Sequence, residues 1–165
     1  MRFIFDLDGT VIDSSHRLGD SLDDWRRLNT PDNIAADGEL PLFDQMLDAI
    51  NDGLDVIVCT SRVMGVHDFQ WLKAHGVDGI TVLCRDSNDN RNCGFFKLAL
   101  LRDYAESLGM TWARFRRTSI MFDDSPDVQN TLRSVGLRVI DPVNYNLNIR
   151  SIACLLYTSP SPRDS

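Results

Sequence analysis

The first ten residues introduce the pattern that the rest of the chain repeats. Residues 3–5 form an unbroken apolar run, which is typical of a strand buried on both faces of a parallel sheet. Two acids one residue apart, Asp6 and Asp8, end this run, and Gly9 follows them. The carboxyl end of such a strand is where open α/β sheets bind their ligands. The stretch therefore predicts a core strand with a candidate site at its end, and an acidic turn without a function is the alternative.

Apolar runs and amphipathic stretches alternate along the remaining chain. Further strands are predicted at residues 55–59, 79–84, 119–122 and 137–140. Helices are predicted at residues 39–51, 66–75, 95–108 and from Pro126 onward. In the helix at 66–75, Phe69 and Leu72 are the expected core residues. Strands that alternate with helices predict an α/β fold, namely a doubly wound, mostly parallel five-stranded sheet with helices on both faces.

Residues 13–40 are polar and interrupt this alternation. Ser21 is a candidate N-cap for a short helix with Leu22 and Trp25 at helical spacing, and Thr30 is expected to end that helix. We interpret this segment as a small flap or minimal cap beside the sheet.

Composition narrows the class of function. The 165 residues fit one domain, and the net charge of −7 argues against broad, nonspecific binding along nucleic acid. Recognition of a single phosphate in a locally basic pocket stays open. No apolar run has the length of a membrane span, and the N-terminus lacks the order of a signal peptide. Cys59, Cys84 and Cys93 show no C-x-x-C spacing, which favours reduced thiols and a cytoplasmic location.

The end of the chain differs in composition from the rest. Residues 154–165 resemble the translation of a transposase-type sequencing adapter, and a natural Ser/Pro-rich disordered tail is the alternative. We therefore expect one domain at residues 1–153, a non-native tail at 154–165, and a true C-terminus that the sequence leaves open.

Polar residues follow four of the predicted strands. Because parallel strands place their carboxyl ends at one edge of the sheet, Asp6, Thr60, Arg85 and Asp123 are expected to converge there. Carboxylates that lie this close repel each other unless a cation lies between them. Oxygen ligands of this kind suit Mg²⁺. The sequence therefore predicts a magnesium site, with metal ligands from Asp6, Asp8, Asp123 and Asp124.

This set of residues suits phosphoryl transfer. Asp6 can attack phosphorus and form an aspartyl-phosphate, while Asp8 can protonate the leaving oxygen and later activate water. Thr10 and Thr60 offer hydroxyl donors to a phosphate. Lys97 offers a point charge that holds phosphate and nucleophile together.

Each of these residues also has an ordinary structural role as its alternative. Thr60 alone could be a strand-end hydroxyl, and Lys97 alone could be a solvated helix residue. The pair Asp123 and Asp124 could cap the helix at Pro126. Asp127 could be an acid at the start of that helix or a partner of the metal site.

Taken in order, DLDGT at residues 6–10, the strand-end Thr60, Lys97 and the Asp123–Asp124 pair resemble the four motifs of the haloacid dehalogenase-like phosphohydrolases. Residues 3–140 further resemble the 3′-phosphatase domain of phage-type polynucleotide kinases. The shared features are Thr60-Ser61-Arg62 and the D-x-R spacing of Asp89 and Arg91 ahead of the lysine. The resemblance implies hydrolysis of nucleic-acid 3′-phosphate ends. The substrate phosphate would then be bound by the hydroxyls of Thr10 and Ser61 and by the guanidinium groups of Arg62, Arg85 and Arg91.

The chain departs from that pattern at two positions. Cys93 stands where these relatives usually carry an acid, and Ser125 stands where some carry an arginine. No GxxxxGK[ST] phosphate loop occurs, so a kinase domain and kinase activity are not expected of this chain. The basic cluster at residues 114–117 could guide a nucleic-acid strand or form a solvated turn.

Three hypotheses about function follow. The first is a phosphatase whose partner is a phosphorylated nucleic-acid end or nucleotide, with no protein partner evident. The second is a 5′(3′)-nucleotidase or small-metabolite phosphatase of the same superfamily. The third is an inactive phosphate-binding module, which the intact pair of Asp6 and Asp8 argues against.

Overall fold

The computed structural model describes residues 1–149, and its core is a five-stranded parallel sheet. The strands of the described chain are β1 (Arg2–Phe5), β2 (Ile12–Asp13), β3 (Gly38–Glu39), β4 (Asp55–Cys59), β5 (Thr81–Leu83), β6 (Ser119–Phe122) and β7 (Arg138–Ile140). The helices are α1 (Leu22–Leu28), α2 (Pro31–Ala35), α3 (Leu42–Asn51), α4 (Val66–Ala74), α5 (Cys93–Ser107), α6 (Trp112–Arg117) and α7 (Pro126–Ser134). Residues 143–149 are also helical.

The sheet order is β5-β4-β1-β6-β7, with β1 at its centre. Phe5 at the end of β1 lies in register with Val58 of β4 and Phe122 of β6. The rings of Phe5 and Phe122 stack with their centroids 4.9 Å apart. This register brings the residues that follow β1, β4 and β6 to one edge of the sheet. The predicted fold, a doubly wound α/β sheet, is confirmed.

Helices cover both faces of the sheet. On one face, α3 and α4 bury Phe43, Met46 and Leu72 against the strands. On the other face, α5 and α7 bury Leu101 and Leu132. Burial on two faces explains why the central strands are apolar at nearly every position.

The predicted cap leaves the sheet edge and returns to it through a short ribbon. Strands β2 and β3 pair antiparallel, with Ile12 opposite Glu39, so the segment between them projects from the same edge as the acids. Ser21 caps α1 as expected, because its side chain accepts a hydrogen bond from the backbone N–H of Asp24. Thr30 does not simply end this helix. Its hydroxyl accepts from the N–H of Asn33 and starts the second helix, α2.

Three further sequence expectations were wrong in detail. Helix α3 begins at Leu42 and not at residue 39, because Gly38 and Glu39 pair with β2. Residues 114–117 are not a turn but part of α6, whose Phe115 is fully buried. Leu72 is buried as expected, but Phe69, also expected in the core, is 46% exposed because α4 turns Trp71 inward in its place.

The predicted end of the domain at residue 153 and the expected tail at 154–165 lie outside the described residues. Among residues 1–149, the structure has no helix long and apolar enough to cross a membrane.

The orientation of α3 and α4 can be tested with two matched phenylalanine truncations. Phe43 is fully buried, so Phe43→Ala should lower the free energy of unfolding by about 3–5 kcal/mol. Phe69→Ala should lower it by less than about 1 kcal/mol, because that ring is nearly half exposed. Urea denaturation of both variants measures the difference, and equal losses would show that the two helices are turned differently.

Candidate active site

The turn after β1 is shaped by Gly9. The backbone N–H groups of Val11 and Ile12 both donate to the carbonyl of Leu7 at 2.9 Å, which closes the turn. Gly9 has φ +75°, a conformation that side chains strain. A Cβ at this position would also collide with the carboxylate of Asp124. Glycine is therefore required both by the backbone and by the close approach of an acid from the neighbouring strand.

Lys97 joins the acids of two strands. Its ammonium donates to Oδ1 of Asp6 and to Oδ2 of Asp123, each at 2.7 Å. All three side chains are buried, so Lys97 is not the solvated helix residue that the sequence left as an alternative. The second oxygen of Asp123 accepts from the backbone N–H of Ser125 at 2.9 Å. Lys97 of helix α5 thus places a buried positive charge at the carboxyl ends of β1 and β6.

The electrostatics of this cluster follow from burial and from the excess of acids. Burial raises the pKa of Asp6 well above its ordinary value, and the neighbouring Asp123 raises it further. Burial and Asp123 also raise the pKa of Asp124. Burial opposes the charged form of Lys97, but the carboxylates of Asp6 and Asp123 outweigh it and raise the pKa of the lysine. The site therefore has more negative charge than one lysine neutralises, which favours a further cation.

The acids fit a divalent cation. Asp6, Asp123 and Asp124 each offer one carboxylate oxygen, and these atoms lie within 4.8 Å of one another. Hard oxygen donors in a small acidic cluster suit Mg²⁺. Asp127 is not part of this cluster, since its carboxylate accepts from the N–H of Gly94 at 2.8 Å and so caps α5.

The carboxylate of Asp8 lies beside this cluster and is held by Arg62. The guanidinium donates from Nε to Oδ2 at 3.0 Å and from Nη2 to Oδ1 at 2.6 Å, and the Ser14 hydroxyl donates to Oδ1 at 2.8 Å. Arg62 also donates to Asp37 and Asp68, at 2.9 and 2.8 Å. Burial opposes its charge, but the hydrogen bonds to Asp8 and the surrounding acids raise its pKa. Arg62 was predicted to contact substrate, and its guanidinium already donates to three carboxylates of the protein.

The predicted hydroxyl residues do lie at the site. Thr10 donates to Oδ2 of Asp6 at 3.3 Å, and the buried Thr60 accepts from the N–H of Arg62 at 3.1 Å. The Ser61 hydroxyl oxygen is shielded from solvent and has no hydrogen-bond partner among residues 1–149. Ser61 is among the residues that line the cavity beside the acids.

Arg85 and Arg91 do not line the cavity. Arg85 is buried and donates to the backbone carbonyls of Ser61, Asp89 and Arg91 at 2.9–3.0 Å, with its guanidinium 4.1 Å from the ring centroid of Phe96. Arg91 is exposed and pairs with Asp89 at 2.6 Å, and this hydrogen bond lowers the pKa of Asp89 to about 2. Both arginines therefore hold the loop that leads into α5.

A cavity of about 350 Å³ lies between the acids and the cap. Asp6, Asp8, Lys97 and Asp123 lie along its sheet side. The cap contributes the apolar side chains of Leu18, Leu22 and Trp25. The sequence placed Leu22 and Trp25 on a helix, but their position over the cavity depends on contacts that periodicity does not reveal.

Ser14, Arg17 and Asp37 belong to the contacts around Asp8 and Arg62 but were not predicted from the sequence. Arg17 and Asp37 are buried and form a bidentate pair at 2.8 and 2.7 Å. An arginine within a polar insert gave no signal that distinguishes a buried pair from a solvated one.

The fold is shared with solved structures of haloacid dehalogenase-like hydrolases. Residues 1–92 match the family described as bacteriophage T5 5′-deoxynucleotidase, and the chain belongs to this family. The 5′-deoxynucleotidase of Escherichia phage T5 is 34% identical over 99 residues, a match that covers 51% of this chain and 41% of that protein. The chain thus spans about two fifths of the length of this curated relative.

Solved structures share the fold. A chain in the Pnkp1/Rnl/Hen1 RNA repair complex superimposes with a TM-score of 0.65 and 21% identity, covering 85% of this chain and 41% of that chain. A hydrolase of the haloacid dehalogenase-like family from Streptococcus pneumoniae superimposes with a TM-score of 0.60 and 13% identity, covering 96% of this chain and 98% of that chain. The predicted resemblance to this superfamily is confirmed.

The cation site can be tested through thermal stability. Mg²⁺ should raise the melting temperature of the wild type, because a ligand that binds only the folded state stabilises it. Asp124→Asn should melt higher than the wild type in EDTA, since one repelling charge is removed, and should lose the rise with Mg²⁺. Asp127→Asn is the matched control, because its carboxylate caps α5 and lies outside the cluster. A rise with Mg²⁺ that survives in Asp124→Asn would contradict the assignment.

Proposed function

We propose that this chain is a Mg²⁺-dependent phosphomonoester hydrolase that works through an aspartyl-phosphate on Asp6. The observation that carries the proposal is the buried contact of Lys97 with Asp6 and Asp123 at the edge of a cavity. A carboxylate held in one orientation by a lysine is suited to attack, and a positive charge beside it can hold the anion that it attacks.

The chain's own residues account for the positioning. Thr10 and Lys97 each bond one oxygen of Asp6, so the carboxylate has a fixed orientation toward the cavity. The hydroxyls of Thr60 and Ser61 can donate to phosphate oxygens. A bound Mg²⁺, held by Asp6, Asp123 and Asp124, would neutralise charge on the transferring phosphoryl group. The Asp8 backbone carbonyl is proposed as a further ligand.

Asp8 is proposed as the general acid and base. Its carboxylate lines the cavity and is fixed by Arg62 and Ser14. When the bond between phosphorus and the leaving oxygen breaks, Asp8 gives that oxygen a proton, and the electron pair of the bond stays with the oxygen. Asp8 then accepts a proton from the water that attacks the aspartyl-phosphate.

The substrate class we favour is a deoxynucleoside 5′-monophosphate. The cavity holds about 350 Å³ and its cap side is apolar, which suits one nucleoside next to a single phosphate. Trp25 offers a ring on which a base can stack. A longer strand would need contacts from Arg85 and Arg91, but both side chains already bind groups of the protein itself. The phage T5 relative, described as a 5′-deoxynucleotidase, supports the same class.

Hydrolysis of nucleic-acid 3′-phosphate ends is the second candidate. It is supported by the D-x-R spacing and by the shared fold with a chain of an RNA repair complex. The exposed Arg91 would have to leave Asp89 in order to bind a strand. This requirement makes the two candidates separable with one variant.

The experiment compares phosphate release from deoxynucleoside 5′-monophosphates, a 3′-phosphorylated oligonucleotide and a sugar phosphate. The kcat/KM for the mononucleotide should exceed that for the oligonucleotide and the sugar phosphate by about tenfold or more. One hydrogen bond to a charged group is enough to provide selectivity of this size. Asp6→Asn is the blank and should release no phosphate, and EDTA should abolish the wild-type rate.

Arg91→Ala is the discriminating variant. It should leave the mononucleotide rate within about twofold of the wild type, because Arg91 is exposed and lies outside the cavity. Preference for the oligonucleotide, together with a loss of that preference in Arg91→Ala, would assign the chain to nucleic-acid ends. Full activity of Asp6→Asn would refute the covalent mechanism.

A further inference from the structure

A buried network of charges connects the cap to Asp8. Arg62 donates to Asp8, to Asp68 and to Oδ2 of Asp37, the last at 2.9 Å. Arg17 donates to the same Oδ2 of Asp37 at 2.7 Å and to its Oδ1 at 2.8 Å. Two guanidinium groups, one from the cap and one from the loop after β4, therefore share one carboxylate.

Asp37 lies between the guanidinium groups of Arg17 and Arg62 and offsets the repulsion between them. The side chains of Arg17 and Asp37 are fully buried, and that of Arg62 is 2% exposed. Two buried guanidinium groups close together would repel each other without an acid between them. The backbone carbonyl of Asp37 also accepts from the Trp71 indole at 3.3 Å, which fastens the residue to the core. Asp37 is thus rigidly placed between α2 and β3.

The other end of the network reaches the cavity. The guanidinium of Arg17 lies 4.8 Å from the ring centroid of Trp25, and it donates to the side chain of Asn29 at the end of α1 at 2.8 Å. Trp25 lines the cavity. A continuous set of contacts therefore runs from Trp25 through Arg17, Asp37 and Arg62 to Asp8.

We propose that Asp37 is a positioning residue that fixes the carboxylate of Asp8 at the leaving oxygen and ties this orientation to the cap. Asp37 does not line the cavity, and its carboxylate is fully buried. It acts through Arg62, because the same Nη2 of that guanidinium donates both to Asp37 and to Asp8, whereas Asp68 binds Nη1. This inference rests on the proposed function, since it assigns a partner to the general acid of that reaction.

The test uses the demand of the leaving group for a proton. A nucleoside 5′-alkoxide is a poor leaving group and needs protonation by Asp8, whereas p-nitrophenolate leaves without it. Because kcat/KM reports the steps up to loss of the leaving group and not hydrolysis of the aspartyl-phosphate, Asp37→Asn should lower kcat/KM for a deoxynucleoside 5′-monophosphate by about tenfold to a hundredfold. This is less than the roughly 10²–10⁴-fold that general acid–base catalysis contributes, since Asp8 itself is retained. The same variant should change kcat/KM for p-nitrophenyl phosphate by less than about threefold, and inhibition by inorganic phosphate should be unchanged.

Two controls make the result specific. Asp68→Asn removes another acid from Arg62 but leaves the contacts of Asp37 with both arginines, so it should give a clearly smaller difference between the two substrates. Asp55→Asn removes an acid that pairs with the buried Arg2 at the opposite edge of the sheet, and it should affect neither substrate.

If Asp37→Asn does not fold, Arg17→Lys takes its place. The lysine keeps the charge but loses the bidentate contact with Asp37, and it should still slow the nucleotide more than p-nitrophenyl phosphate. Equal losses on both substrates, or an equal difference in Asp68→Asn, would overturn the role of Asp37. A wild-type chain that hydrolyses no phosphomonoester would refute the proposed function itself, which is a distinguishable outcome.

Discussion

The contact of Lys97 with Asp6 and Asp123 is the interaction on which the site depends. Asp6 follows β1, and Asp123 and Asp124 follow β6. These three acids meet at one edge, where burial favours the neutral forms of Asp6 and Asp124. The buried ammonium of Lys97 lies 2.7 Å from the carboxylates of Asp6 and Asp123, and it opposes this effect at Asp6. The sheet register supplies the acids and α5 supplies the lysine, so the fold and the chemistry are set by the same parallel arrangement.

The arginines of this chain have a different task from the lysine. Arg62 and Arg85 are buried, and each uses several donors on groups of the protein itself. A guanidinium has five donors in a rigid fork and therefore organises loops that lack regular hydrogen bonds. Arg85 orders the loop before α5, and Arg62 orders the acid Asp8. The cavity is lined by Lys97, by Arg62 with its donors already on carboxylates, by four acids and by the apolar side chains of the cap.

The sequence predicted the parts of the structure that depend on local pattern. Apolar runs end at Asp6, Thr60 and Asp123, and parallel pairing then requires these residues to meet. The sequence did not show whether Phe69 or Trp71 faces the core, since α4 is short and either aromatic side chain could be buried. The sequence also did not show which groups the side chains of Arg62 and Arg85 bind. Their partners are Asp37, distant along the chain, and backbone carbonyls, which leave no trace in residue spacing.

The central claim is that Asp6 is the nucleophile and Asp8 is not, and chemical trapping tests it directly. The protein would be quenched in acid during turnover of a deoxynucleoside 5′-monophosphate with Mg²⁺, reduced with borohydride and mapped by peptide mass spectrometry. An aspartyl-phosphate is reduced to homoserine, so the account predicts homoserine at position 6 and unchanged aspartate at position 8. Homoserine at position 8, or no conversion at either position during active turnover, would contradict it.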